Sequence, residues 1–155
     1  MATLAVAGCG GNGGDGGDGG DGGDAPGGTL THAAFTAKAN AACKSASATM
    51  TKLKAPASLA GLADYADRAR AIGVSLEGDL GAIKAPAADR SGLDRYRAAL
   101  RAANTALTTM KQAAADNDRT GVQTAVERIG AAQVGILATQ AGLGTCATAT
   151  EGPAS

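Results

Sequence analysis

The chain has 155 residues, 45% of them hydrophobic, yet only one Phe, two Tyr and no Trp; that length holds one ordinary domain, and its core must be Ala with a thin stripe of Leu, Ile, Val and Met, which favours closely approaching helices over sheets. The formal net charge of zero conceals an asymmetry, because every Lys and Arg lies from Lys38 onward, and with Asp15, Asp18, Asp21, Asp24 and Glu151 set aside nine acids face fourteen bases. That excess is interleaved with acids, as in Asp64, Asp67, Arg68 and Arg70, so it describes solvated helix faces and excludes a nucleic-acid footprint.

Near the start, Leu4 to Gly11 reads LAVAGCGG, a cysteine behind small apolar side chains and ahead of a glycine run. Val6-Ala7-Gly8-Cys9 resembles the lipobox of bacterial lipoproteins: an aliphatic residue, two small ones that fit a peptidase site, then the thiol. The resemblance implies cleavage after Gly8 and a diacylglycerol on Cys9. A signal peptide carries a positive n-region and about 7 to 15 apolar residues, whereas Met1 to Gly8 has no Lys or Arg. Residues 1–8 are therefore read as the remnant of a leader whose start lies upstream. The alternative is a cytosolic chain with a chance cysteine.

Residues 9–30 read as a lipid-anchored Gly/Asp linker, GGNGGDGGDGGDGGDAPGG from Gly10 to Gly28. Such a segment cannot bury surface, is expected to stay disordered, and reaches about 25 Å by random-coil scaling. Gly8, Gly10 and Gly13 spell GxGxxG without a preceding strand or following helix, so no dinucleotide site is inferred. The GGD repeat has neither the prolines of collagen nor the periodic apolar residue of calcium-binding nonapeptides.

From Thr31 four segments carry helical periodicity. The first places Phe35, Ala39, Ala42 or Cys43, Ala46, Met50 and Leu53 on one face and is expected to stop at Lys54-Ala55-Pro56. The second follows Ser58 as N-cap, with Leu59, Leu62, Ala66, Ala69, Ile72, Leu76, Leu80 and Ile83, and stops at Ala85-Pro86. The third opens at Asp89 or Ser91 and carries Leu93, Tyr96, Leu100, Ala103, Leu107, Met110 and Ala114, ending at Asp116-Asn117-Asp118. The fourth runs through Val122, Val126, Ile129, Gln133, Ile136, Gln140 and Leu143, with Gly142 and Gly144 at its end. Four amphipathic helices joined by short connections predict an all-α fold, an up-down-up-down antiparallel four-helix bundle over residues 31–146, with a disordered tail at 147–155.

If Cys9 carries lipid, Cys43 and Cys146 remain, an even number in an exported chain. Antiparallel topology returns the end of the fourth helix beside the first, which predicts a disulfide between them; two free buried thiols are the alternative. Lipobox, low-complexity linker, FTAKANAACKSA and the terminal GLGTC together resemble small lipoproteins of high-GC Gram-positive bacteria (actinobacteria). The resemblance implies a chain anchored on the outer leaflet of the cell membrane with a disulfide-bonded helical domain, and carries no activity with it.

Catalysis needs convergent polar groups in a concave site. His32 is the only histidine and sits at the start of the first helix; HExxH, CxxCH and paired Glu-x-x-His are absent. Tyr65 and Tyr96 are expected to cap the core with their hydroxyls in water. Asp116, Asp118, Thr120, the Val122 carbonyl and Glu127 fit calcium-loop spacing with Gly121 at the turn, except that Thr120 stands where Asp or Asn is usual. The competing reading makes Asp118 or Thr120 an N-cap and Glu127 an exposed helix residue. Gln133, Gln140 and Asn104 fall on or beside apolar stripes, as core amides that fix register or as the lining of a ligand pocket. The expected function is a noncatalytic envelope module without a cofactor other than the lipid. Its expected partners are the membrane through the anchor, and an envelope protein, an anionic wall polymer or a small ligand; calcium binding is the alternative.

Overall fold

A computed structural model describes residues 29–148. Cys9, the 1–8 segment, nearly all of the linker and the tail beyond Thr148 lie outside the described residues. Those described are all-helical, in the order α1 (His32–Met50), α2 (Leu59–Ala82), α3 (Ala87–Ala115), α4 (Arg119–Ala131), α5 (Val134–Gln140) and α6 (Gly144–Thr148).

Local chemistry explains the boundaries. The Thr31 hydroxyl accepts from the Ala34 N–H and opens α1. That helix ends at Met50, short of Pro56, and its last turn tightens into the bonds Lys52 N–H to Thr49 C=O and Leu53 N–H to Met50 C=O. The Thr49 and Thr51 hydroxyls donate back to the Ser45 and Ala48 carbonyls, a competition that weakens a helix end. Ser58 caps α2 as expected, accepting from Gly61 N–H at 3.1 Å. The third helix starts two residues before Asp89, directly after Pro86, whose φ of −55° suits a helix entrance. Asp89 instead lies in the first turn, where a carboxylate favours the positive helix end. At the other end of α3, Asn117 takes a left-handed φ of 59°. The bonds Asp118 N–H to Ala113 C=O and Asn117 N–H to Ala114 C=O then close a Schellman motif.

The expected fourth helix is broken. Gln133 adopts φ 51° and ψ 36°, ending α4 and starting α5. The cause is legible in the stripes. Val122, Ala125 and Ile129 face one core cluster, whereas Val134, Leu137, Ala138 and Ala141 face another. At 3.6 residues per turn, Ile129 and Val134 would point about 140° apart on one straight helix. The break rotates the second stripe inward and leaves Val126 and Ile136 exposed, at 53% and 54%. After α5, Gly142 at φ 72° turns the chain in a second Schellman motif, with Leu143 N–H donating to Ala138 C=O.

The second helix packs on α1 and α3, α3 also packs on α4 and α5, and α6 packs on α5 and α1. The second and third helices are antiparallel, since Asp67 meets Lys111, Glu77 meets Arg101, and a side chain on Gly81 would meet Arg97. The first helix is closed by α6 through the Cys43–Cys146 disulfide, with Cα atoms 5.0 Å apart and 103 residues between them in sequence. Asn40 Oδ1 also accepts from Thr145 N–H. The helix that carries Cys146 extends through Thr148, two residues beyond the expected boundary.

The larger core cluster gathers Phe35, Cys43, Leu80, Tyr96, Leu143 and Cys146 with their neighbours. The smaller one has Ala66, Met110 and Ala125, flanked by Leu62, Leu107, Val122 and Ile129. Helix α1 has 19 residues against 29 in α3, about 28 Å against 43 Å at the helical rise. It packs on α2 and α6 and meets α3 through the His32–Asp89 and Cys43–Tyr96 contacts.

Candidate functional site

Where the clusters meet, a groove of about 1000 Å³ opens between α2, α3, α4 and α5, with Met50 at the end of α1 and Ala147 and Thr148 of α6 at its border. Its walls include Ala69 and Gly73 from α2, Leu100 and Leu107 from α3, Ile129 from α4 and Ile136 from α5. Among the described residues that line it none is Asp, Glu, Lys, Arg, His or Cys. The chemistry available there is apolar contact and hydrogen bonding, with Tyr65, Asn104, Gln133, Thr139 and Thr148 as the polar members. A second, shallower depression of about 390 Å³ between α3 and α4 is lined by Ala and Thr with Arg128, and no buried unpartnered polar atom lies there.

Asn104 is the buried polar residue of the groove, 9% exposed. Its amide lies against Gly73, where even a Cβ would collide with Asn104 Oδ1. Gly73 thus has a packing role that offsets the roughly 1 kcal/mol a mid-helix glycine costs. The Asn104 Nδ2 group is buried and has no hydrogen-bond partner. A register-fixing core amide would need a mate. Gln133 and Gln140, expected on the same apolar surface, are instead exposed, because the break at Gln133 turns that face outward.

The other expected residues fall as follows. Cys43 and Cys146 are joined and fully buried. Tyr65 is partly buried, but Tyr96 is 1% exposed, contrary to the expected hydroxyl in water. Its O–H donates toward Cys43 Sγ at 3.9 Å, and burial pushes its pKa up to about 12. His32 is exposed at the first turn of α1, with Nδ1 3.0 Å from the Asp89 carboxylate. On the α2/α3 face Glu77 accepts from Arg101 at 2.7 Å and from Arg97 at 3.4 Å, and Lys111 holds the Asp67 carboxyl below its usual range through a 2.8 Å hydrogen bond.

The calcium-spaced residues do not converge. Asp118 caps α4, accepting from Gly121 N–H at 3.0 Å, and Asp116 accepts from Gln112 Nε2. Because α4 begins at Arg119, Thr120, Val122 and Glu127 ride on a helix. Glu127 consequently stands about 13 Å along the axis from Asp118, too far to share one cation with it. Among the described residues no group of three or more His, Cys, Asp or Glu could hold a metal ion. No described helix is long and apolar enough to cross a membrane.

The groove left no direct trace in the apolar periodicity, but Gly73 was a signal. It stands at helical spacing from Ala66, Ala69, Leu76 and Leu80, which are buried, and a glycine in that position marks close approach by a neighbour. Comparison of the chain with protein families, with curated proteins and with solved structures finds no match in any of the three.

Proposed function

We propose that this chain is a noncatalytic binding module held on the outer leaflet of the cell membrane by a diacylglycerol on Cys9. The Gly/Asp segment from Cys9 acts as its spacer up to Leu30, which packs against the larger core cluster, and α1, α2, α3 and the α4–α5 pair form an up-down-up-down four-helix bundle that presents the groove. The observation that carries the reading is the buried Cys43–Cys146 bond. Structural disulfides persist in oxidising compartments and are rare in the cytosol, so the bond agrees with an exported chain and with Cys9 as the lipid attachment point. The pairing of sequence-adjacent helices, and the closure of α1 by α6, support the bundle topology. The uncharged lining supports binding rather than acid–base chemistry.

The test is the intact mass of the native protein extracted from membranes of its host, with a fragment spectrum of the N-terminal peptide. The expected result is a chain starting at Cys9 with a diacylglycerol on its sulfur. A chain that retains Met1, carries no lipid and has alkylatable Cys43 and Cys146 would overturn the reading.

A further inference from the structure

We propose that the groove is a dimer interface: a second copy of this chain lays its α4 antiparallel along α4 and over the groove, with Val126 of each copy seated on the partner's Gly130. The inference rests on the binding-module reading above and names its partner.

The fourth helix has an open side. Every other described helix packs closely on at least two helices, whereas α4 packs closely on α3 alone and buries only Ala125. A helix of a bundle is flanked on two sides, so α4 lacks a neighbour where the groove opens. Ile129 and Gly130 line that opening, and Val126, three and four residues before them, stands on the same side of the helix by helical spacing. Val126 is 53% exposed. A Cβ at Gly130 would meet nothing within 4 Å, so no neighbour among the described residues requires glycine there, where it weakens a helix relative to alanine.

Two features select a second copy over a foreign helix. A contact about a twofold axis needs a face that complements itself, residue i meeting residue j while j meets i. Val126 and Gly130 supply that reciprocity, an exposed aliphatic side chain four residues from a bare backbone. In an antiparallel pair centred at the level of Arg128, each valine covers the partner's glycine and the two backbones approach closely. Ile136, exposed at the groove's edge, extends the apolar face along α5. Charge is the second feature, because identical copies bring identical charges to a twofold contact. The groove lining has no charged residue among those described. Arg128 lines the shallower depression on the other side of α4, Glu127 stands at the edge of the contact, and Arg119, which opens α4, falls beyond the end of the partner's α4 in this register. On the α2/α3 face, by contrast, Arg97, Arg101 and Lys111 outnumber Glu77 and Asp67, so two copies meeting there would repel.

The test is sedimentation equilibrium of the full, unlipidated chain in a Cys9→Ser background with the Cys43–Cys146 bond intact, at concentrations up to about 1 mM. Val126→Asp and Gly130→Leu are compared with Val74→Asp, a change at another exposed valine, on α2 and outside the groove. The expected result is a reversible monomer–dimer equilibrium that the two α4 substitutions weaken by about tenfold or more and Val74→Asp leaves unchanged, with the helical circular dichroism of all three preserved. Cross-linking fixes the register and carries the test if the α4 variants do not fold: a mixture of Val126→Cys and Gly130→Cys chains should form a disulfide-linked heterodimer faster than either chain alone forms a homodimer. A chain monomeric at about 1 mM, a dimer that neither α4 substitution weakens, a dimer abolished by Val74→Asp, or cross-linking no faster in the mixture would each overturn the proposal. A monomer whose groove resonances move on titration with dioctanoylglycerol, or on deletion of residues 149–155, would overturn it by giving the groove to an apolar ligand or to the chain's own tail. Since the chain tested carries no acyl group, failure here leaves the anchor reading standing, and failure of the anchor leaves this result standing.

Discussion

Replacing Gln133 by glycine tests the break between α4 and α5 by the sign of its effect. Gln133 sits at φ 51° and ψ 36°, a left-handed conformation that costs a residue with a Cβ about 1–2 kcal/mol. Glycine removes that cost but gives the unfolded chain more freedom, about 0.5–1 kcal/mol. The expected net effect of Gln133→Gly is a stabilisation of about 0.5–1 kcal/mol. On an unbroken helix the same substitution would destabilise by up to about 1 kcal/mol, through lost helix propensity. The side chain is exposed, so its removal leaves no cavity to confuse the sign. Urea unfolding of the disulfide-intact chain, followed by far-ultraviolet circular dichroism, gives the midpoint. It should rise for Gln133→Gly, stay nearly level for Gln133→Ala, which keeps the left-handed cost, and fall for the β-branched Gln133→Val. A lower midpoint for Gln133→Gly would refute the two-stripe explanation and restore one continuous fourth helix.

The disulfide spans 103 residues of sequence, and the double substitution Cys43→Ala with Cys146→Ala should cost about 4.7 kcal/mol by the chain-entropy estimate; a loss below about 1 kcal/mol in urea unfolding would place the stability in helix packing alone. Gly73→Ala should destabilise by about 1–2 kcal/mol, because the new Cβ collides with Asn104 Oδ1. In an Asn104→Ala background the same change should become stabilising by about 1 kcal/mol, and a double-mutant cycle without that reversal refutes the contact. At alkaline pH the folded chain holds the Tyr96 proton to about 12 against 10 for the ordinary group. The unfolded state therefore releases its proton first and stability falls across that interval; Tyr96→Phe should flatten this slope in thermal melts taken from pH 9 to 12, and an unchanged slope would refute the assignment.

Most of the helical order was legible because it depends on local chemistry. Ser58 and Asp118 cap their helices by side-chain oxygens three residues from the N–H they accept, and Pro56 and Pro86 mark the turns. The disulfide followed from cysteine parity plus topology. The split fourth helix was not legible from the spacing of Val122, Val126, Ile129 and Gln133, since that spacing is itself regular. Only tertiary packing decides that Ala125 faces the core instead of Val126, and that Val134 and Leu137 need a different phase. The calcium spacing failed for a related reason: helix propensity and the Asp118 cap take the residues that a loop would need. Tyr96 went inward because the larger cluster needs volume that an Ala-rich core lacks, and its ring supplies it.

The groove depends on something periodicity does not encode, how far each helix reaches over its neighbours: α1 packs on α2 and α6, while the groove's walls come mainly from α2 to α5. An amphipathic stripe states which face seeks burial, not whether a neighbour reaches far enough to bury it. Asn104 sharpens the consequence. A buried donor without a partner costs about 1–3 kcal/mol, and an apolar residue of similar volume would avoid that cost. As a register device the amide would recover the energy through a mate on another helix, yet its Nδ2 has none, and the two glutamines that could have served are at the surface. Gly73, by giving up its own side chain, holds the amide in place without satisfying it. The amide is therefore held by its packing against Gly73 and not by hydrogen bonding, and the cost of the unpaired donor is carried by the rest of the fold.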